Sequence, residues 1–411
     1  MAERPKTRTR RRLDACWDAL ARPHSGRALL RQIDGLRFLA ILGTIVTHVA
    51  TFLSKHAAPA TAALVPDDLT CQLMDAGCVG VQLFFAISGF ILALPFAAAF
   101  RSSTAAPRLR PFYWRRVTRI EPPYLLNLML FYGILVLFRG IPAEELLPHL
   151  LASGLYVHNI AYGAASLVNG VAWSLEVEIQ FYLLAPLVAQ VFRIPSAALR
   201  RLLLGTAIAA FALLGPAYGT FWDLTLLGQF EHFLVGFLIA DLATAGKSLA
   251  PERSRGAFDL LGTASIAGLL LTSWLAGPQC PLVPALILGT FAGAFRGPRL
   301  RSALSSRPVS TLGGMCYTTY LYHYWLLSVI GWGVLRFVPL PESVALQAAI
   351  LTAVVLPGVF VPCAGLFVLI EKPFMHADWP SKLLGGWREK RESPPPMPVA
   401  TFEHGEIGQA A

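Results

Sequence analysis

The sequence predicts an all-α polytopic membrane protein of about ten transmembrane helices with both termini in the cytoplasm. Three observations predict it. Of the 411 residues, 55% are hydrophobic and only 14% charged, with a mean hydropathy of +0.56, a balance suited to lipid and not to a water-soluble core. Apolar stretches long enough to span a bilayer recur along the chain, at roughly 36–55, 74–96, 120–138, 171–192, 202–218, 226–243, 257–275, 282–295, 309–335 and 344–370. Finally, of 34 Lys and Arg residues only Lys55, Arg139 and Arg336 fall at the odd-numbered connections, and the rest lie in the tail through Arg37, in the even-numbered connections or after the tenth stretch. That asymmetry is the positive-inside signature. The net charge of +10 therefore reports topology, and nucleic acid is not an expected partner.

Organisation follows from the same pattern. Residues 1–32 form a basic cytoplasmic tail, in which Leu13 to Leu20 has the spacing of a short amphipathic surface helix. The apolar run begins too late and extends too far for a cleavable signal peptide, so the first span is its own anchor. Residues 33–373 are one membrane domain without internal repeats. Residues 374–411 carry Pro394-Pro395-Pro396 and a small polar ending, a composition that cannot bury a core and reads as disordered. Chemistry is thus expected within the membrane domain. The stretch from Glu144 through Gly163 is too broken to span and reads as an outer-surface or re-entrant segment. Six cysteines lack metal-ligand spacing, and no metal is expected; Cys71, Cys78 and Cys280, on the outer side, read as small buried residues.

The first span carries the sharpest signal. Arg37 and His48 are ionisable groups in a stretch otherwise fit for hydrocarbon, where such groups are costly and kept for function. Eleven residues at 100° each bring both onto one helix face, about 16 Å apart along the axis. A guanidinium at the membrane surface suits phosphate, and an imidazole at depth suits proton transfer. Asp34 precedes Arg37 by three residues on a similar face. At the same inner surface, Arg116 and Arg119 share a face at i, i+3, and with Arg37 they form a candidate phosphate clamp. Counting at about 1.5 Å per residue puts His48, Glu178, the Glu231-His232 pair and His323 into one layer of the outer half. Ser88 in Ala86-Ile87-Ser88-Gly89 reads as a small residue for helix packing and not as a protease nucleophile.

These residues carry a resemblance to the acyltransferase family 3 integral-membrane proteins. Asp34-Gly35-Leu36-Arg37 with His48 resembles the family's first-helix Arg-x10-His motif, and Gly80 to Phe90 its second-helix signature. Arg116-Val117-Thr118-Arg119 resembles its Arg-x-x-Arg motif, and Trp173-Ser174-Leu175-Glu176-Val177-Glu178 with Phe181-Tyr182 its fourth-helix signature. Tyr320-Leu321-Tyr322-His323 and Glu371-Lys372-Pro373 are similar to its C-terminal motifs. Phe38 and Gln82 depart from the family pattern, which has a small residue and an acid there in many members.

The resemblance implies a multi-pass O-acyltransferase of the bacterial inner (cytoplasmic) membrane. It would move an acyl group, acetyl above all, from acyl-CoA to a hydroxyl of a glycan, lipid-linked oligosaccharide or glycosylated metabolite. His48 and Glu178 are the expected catalytic residues, with Glu178 orienting or charge-stabilising the imidazole. Arg37, Arg116 and Arg119 would bind the donor, and Asp34, Trp173, Ser174 and His323 would contact substrate or support those that do. Acetyl-CoA or another acyl-CoA is a co-substrate, no tightly bound cofactor is expected, and the partners are the sugar-containing acceptor and the bilayer. The competing reading is a non-enzymatic transporter or flippase of a glycolipid or metabolite, since acids and histidines within membranes also mark coupled transport.

Overall fold

Helices dominate the computed structural model, which describes residues 17–23, 31–56, 68–215, 219–245, 255–376 and 379, with no strand among them. Ten coincide with the predicted stretches: α1 (Arg31–His56), α2 (Gly80–Arg101), α3 (Leu109–Arg139), α4 (Trp173–Val188), α5 (Ala197–Leu214), α6 (Phe230–Ala245), α7 (Gly256–Ala276), α8 (Val283–Arg296), α9 (Cys316–Phe337) and α10 (Val344–Leu366). Among the described residues, seven segments are long and apolar enough to cross a membrane. They are α1, α3, α5, α7 and the longer units Leu69–Arg101, Gly170–Arg193 and Val344–Phe374 around α2, α4 and α10. The other three fall short for visible reasons. α6 and α8 have 16 and 14 residues, fewer than the roughly 20 that a bilayer core requires. α9 loses hydropathy to Thr318, Thr319, Tyr320, Tyr322 and His323 in its first two turns. The Glu144–Gly163 stretch is indeed broken, into helices Ala143–Gly154 and His158–Tyr162.

Two helices begin earlier than hydropathy suggests. α1 starts at Arg31, so Arg37 sits six residues inside the helix, about 9 Å from its end, instead of at the mouth. α3 starts at Leu109, so Arg116 and Arg119 belong to its opening turns and not to a preceding loop. α3 also contains Pro122 and Pro123. A proline has no N–H, which orphans the carbonyl four residues earlier. For Pro122 that carbonyl is Thr118 O, and the Trp379 indole nitrogen donates to it at 2.9 Å. Apart from residues 374–376 and Trp379, the expected C-terminal tail lies outside the described residues, as do residues 1–16 and 24–30 of the N-terminal one. Trp17 to Leu20 is helical, within the amphipathic stretch expected there.

The core divides into two apolar clusters, and α1 belongs to both. Its first half, through Ile33, Leu36 and Ala40, joins a cluster built on α2, α4, α6 and α8. Its second half, through Ile41, Ile45, Val49 and Leu53, joins one built on α3, α9 and α10. α1 is therefore the seam of the bundle, and its polar side chains look into the junction of the two halves. On the outside, Leu137, Phe138, Leu183, Leu275 and Val361 are exposed, an arrangement that lipid contact explains and water contact does not. Cys71, Cys78, Cys280, Cys316 and Cys363 are all free thiols, with Cys71, Cys316 and Cys363 buried.

The α2–α6 contact sets the first half. A Cβ on Gly236 would meet Ala86 O and Phe90 N, and one on Gly89 would meet Phe233 O. Backbone touches backbone there, the close approach that small residues permit in membranes. Gly236→Ala and Gly89→Ala should each destabilise the bundle by about 1–3 kcal/mol, the usual result of overpacking, read as a lower unfolding midpoint in detergent. Gly205→Ala, where a Cβ meets nothing within 4 Å, should leave that midpoint unchanged or raise it.

Candidate functional site

The site grows from α1. Asp34 is buried, and its Oδ1 accepts from Arg37 at 2.6 Å and from Arg22 at 3.0 Å. The Asp34 and Arg37 side chains are only 7% and 16% exposed, so this is an ion pair withdrawn from water, close to the bundle end that carries the basic loops. The short helix Arg307–Gly314 closes against it, because a Cβ on Gly313 would strike the Asp34 carbonyl. Only glycine lets the two backbones meet there.

Arg116 and Arg119 approach the same region from α3. The Arg116 guanidinium donates to Phe112 O at 2.6 Å, lies 3.6 Å above the Phe112 ring, and stands 5.5 Å from the Tyr182 ring. Arg119 pairs with buried Glu371 at 3.8 Å. Glu371 is fixed in turn by Thr318, whose N–H and hydroxyl donate to it at 3.1 and 2.6 Å. It ends a π-helical turn, Phe367–Glu371, at the foot of α10, and such turns re-aim side chains that a regular helix would carry elsewhere.

Eleven residues along α1, His48 meets α9. Its ring lies 5.2 Å from that of His323 and 5.1 Å from that of Tyr324. His323 Nδ1 contacts the carbonyls of Tyr320 and Thr319 at 2.7 and 3.2 Å. A carbonyl only accepts, so Nδ1 carries the proton and Nε2 keeps its lone pair. Nε2 of His323 and Nδ1 of His48 are both buried without a hydrogen-bond partner. Buried polar atoms are ordinarily satisfied, so two unsatisfied nitrogens on adjoining rings mark a place built to bond something else.

The start of α4 docks on the same stretch of α9. Ser174 Oγ donates to the Tyr320 hydroxyl at 3.1 Å, Leu175 N–H donates to it at 3.2 Å, and that hydroxyl in turn donates to Val171 O. Tyr320 is one turn before His323, and their rings are 6.3 Å apart. Trp173, half-buried, meets Phe85 edge to face at 6.2 Å.

Glu178 is not bonded to the histidines with which depth counting groups it. Its Oε1 accepts from Ser88 and Tyr182, each at 2.5 Å, and no hydrogen bond joins it to His48. Its charge acts on Arg37, while Arg116 and Arg119 act on Tyr182. The carboxylate thus faces the arginine cluster. Depth along an ideal helix fixes height, not azimuth, and the azimuth of α4 turns Glu178 toward α2. Glu231 and His232, 3.4 Å apart, are similarly a separate buried pair on α6. Of the four expected groups in the layer, the structure joins His48 and His323. Sequence reasoning gives no site role to Arg22, names Tyr320 and Tyr182 only within motifs, and reads Ser88 as a packing residue. The signal for Ser88 was its hydroxyl in an otherwise apolar run.

Comparison with known proteins places these features in a family. The profile of acyltransferase family 3, described as an acyltransferase domain, matches residues 30–367. Similar proteins include the peptidoglycan O-acetyltransferase OatA of Listeria monocytogenes, 24% identical over 333 residues, which are 74% of this chain and 50% of that protein. The O-acetyltransferase OatA of Staphylococcus aureus is 24% identical over 323 residues, 71% of this chain and 49% of that one. The chain spans about half the length of the curated relatives it matches. No solved structure matches it.

Tyr320 offers a direct check of this geometry. Removing its hydroxyl leaves Leu175 N–H and Val171 O without their partner, so Tyr320→Phe should cost about 1–3 kcal/mol, measured by thermal unfolding in detergent. An unchanged midpoint would mean that α4 and α9 are not joined through this hydroxyl.

Proposed function

The chain belongs to acyltransferase family 3, and from that premise we propose that it is an O-acyltransferase of a bacterial cytoplasmic membrane. It moves an acetyl or other short acyl group from acyl-CoA to a hydroxyl of a sugar-containing acceptor. The observation that carries this reading is the pairing of His48 with His323, each with an unsatisfied buried nitrogen, eleven residues along one helix from the Arg37–Asp34 pair. The acceptor class draws support from the names of the relatives, one of which acetylates peptidoglycan; a glycan, a lipid-linked oligosaccharide and a glycosylated metabolite all present the required hydroxyl.

Arg37, Arg116 and Arg119 hold the phosphates of the donor just inside the cytoplasmic end of the bundle, where guanidinium forks match phosphate oxygens. The extended pantetheine arm covers the roughly 16 Å to His48. There the acceptor hydroxyl oxygen attacks the thioester carbonyl, a C–O bond forms and the C–S bond breaks. His48 takes the hydroxyl proton as general base and returns it to the departing thiolate. His323, its tautomer fixed by the Tyr320 carbonyl, sets the position of the His48 ring. Glu178 balances the charge of the arginine cluster through Tyr182 and Arg37 when no donor is bound. Ser174 and Trp173 position the acceptor side through Tyr320 and Phe85. No tightly bound cofactor takes part.

His48→Ala should abolish transfer, a loss of at least about 10²-fold for a removed general base, with membrane insertion retained because the span becomes more apolar. A fully active variant would remove His48 from the mechanism. Arg116→Ala and Arg119→Ala should raise the KM for acyl-CoA about tenfold each while kcat holds; a fall in kcat at unchanged KM would contradict their assignment to phosphate. Donor and acceptor should also enter from opposite sides. In sealed inside-out vesicles, acyl-CoA added outside should label acceptor enclosed in the lumen, whereas a transporter would move intact acceptor and leave the label on CoA.

A further inference from the structure

Arg22 precedes the residues matched by the family profile, which begin at 30, and the fold nevertheless brings it into the site. Residues 17–23 lie along the basic end of the bundle and are fastened at three points. Asp18 accepts from Arg307, Ala19 O accepts from Lys372 Nζ at 2.5 Å, and Gly314 O accepts from Arg22 Nε at 2.6 Å. The Arg22 side chain is only 14% exposed, and its second contact is the Asp34 carboxylate already held by Arg37. Two guanidiniums therefore share one carboxylate oxygen in a nearly dry place.

The charges do not balance. Arginine cannot shed its proton, so Arg22, Arg37 and Asp34 together carry a net charge of +1, and Glu178, the other carboxylate acting on Arg37, is not hydrogen-bonded to either arginine. Arg119 stands within electrostatic range of Arg22, and its own partner, Glu371, is no closer than 3.8 Å. Burial pushes the Arg22 guanidinium below its ordinary value, opposed by Asp34, with Arg37 and Arg119 adding to the lowering. Burying a cation that has only a shared carboxylate in direct contact is costly, and an anion that bonds it directly completes the site. The free edges of several guanidinium groups suit a phosphate, which takes bidentate bonds from each.

We propose that Arg22 is a donor-binding residue, which with Arg37 takes a phosphate of acyl-CoA beneath residues 17–23. This rests on the acyl-CoA reading above. It makes the N-terminal segment part of the substrate site: the nucleotide end of the donor lies between that segment and α1, and the thioester end points inward along the Arg37–His48 stripe.

Isothermal titration of CoA and of pantetheine, which lacks every phosphate, tests this on the full chain in detergent. The unaltered protein should bind CoA far more tightly than pantetheine. Arg22→Ala should weaken CoA about tenfold, the scale of one charge-assisted bond, and leave pantetheine unchanged. Arg22→Gln, which keeps a donor for Gly314 O, should show the same selective loss and covers the case in which the alanine variant fails to fold. Equal weakening of CoA and pantetheine, or an undiminished preference for CoA in both variants, would overturn the role of Arg22 and leave the donor reading intact. Equal affinity for CoA and pantetheine in the unaltered protein would overturn the donor reading itself. A lipid headgroup is the other source of phosphate; if phosphatidylglycerol vesicles bind less tightly to the Arg22 variants while CoA preference persists, the site belongs to lipid and the proposal falls.

Discussion

The Asp34 carboxylate, shared between Arg37 and Arg22, is the constraint on which the rest of the structure depends. A buried ion pair survives only when each charge keeps its partner, since removal of one costs about 3–5 kcal/mol. α1 is therefore locked in rotation at its first turns: Arg37 must face Asp34 and the Arg307–Gly314 helix, and the backbone contact at Gly313 holds that helix in place. Once that face is fixed, helical periodicity carries His48 onto it eleven residues later. The imidazole is consequently delivered to the seam between the two apolar halves, where α9 waits with His323.

A second set of contacts makes that seam rigid without making it apolar. Tyr320 ties α4 to α9 through three backbone and side-chain bonds, Asn169 Nδ2 donates to Asn127 Oδ1 and Leu321 O, and Glu371 anchors the foot of α10 on Thr318. Each joins helices through groups that have no water to turn to in a bilayer, so they hold orientation more firmly than apolar packing would. Against that background the unsatisfied nitrogens of His48 and His323 stand out. Tyr320 and Thr318 beside them are bonded, whereas these two nitrogens, like the Tyr322 hydroxyl, are buried without a partner.

Much of this was legible in the residues. Ten apolar stretches coincide with ten helices, and seven segments among the described residues are long and apolar enough to cross a membrane, because length and composition are read directly from the residues; Arg37, His48, Arg116 and Arg119 stand out because charge in hydrocarbon needs a reason. Other features lay beyond reading for physical causes. Helix starts at Arg31 and Leu109 are invisible to hydropathy, since the early turns are polar yet helical. The partner of Glu178 depends on the azimuth of α4, which is set by packing against α2. Arg22 gives no signal among ten basic residues through Arg37, because only the fold shows that it pairs with buried Asp34. The π-helical turn at Phe367–Glu371 has no periodic signature at all.

The central claim is that one face of α1 runs from the donor's phosphates to the reacting carbonyl. The most direct measurement is an electron cryomicroscopy structure of the protein with CoA bound. The claim requires phosphate density against Arg37, Arg116 and Arg119 and the CoA sulfur beside the His48 and His323 rings. A nucleotide bound at any other loop, or a pantetheine arm that ends away from His48, would contradict it.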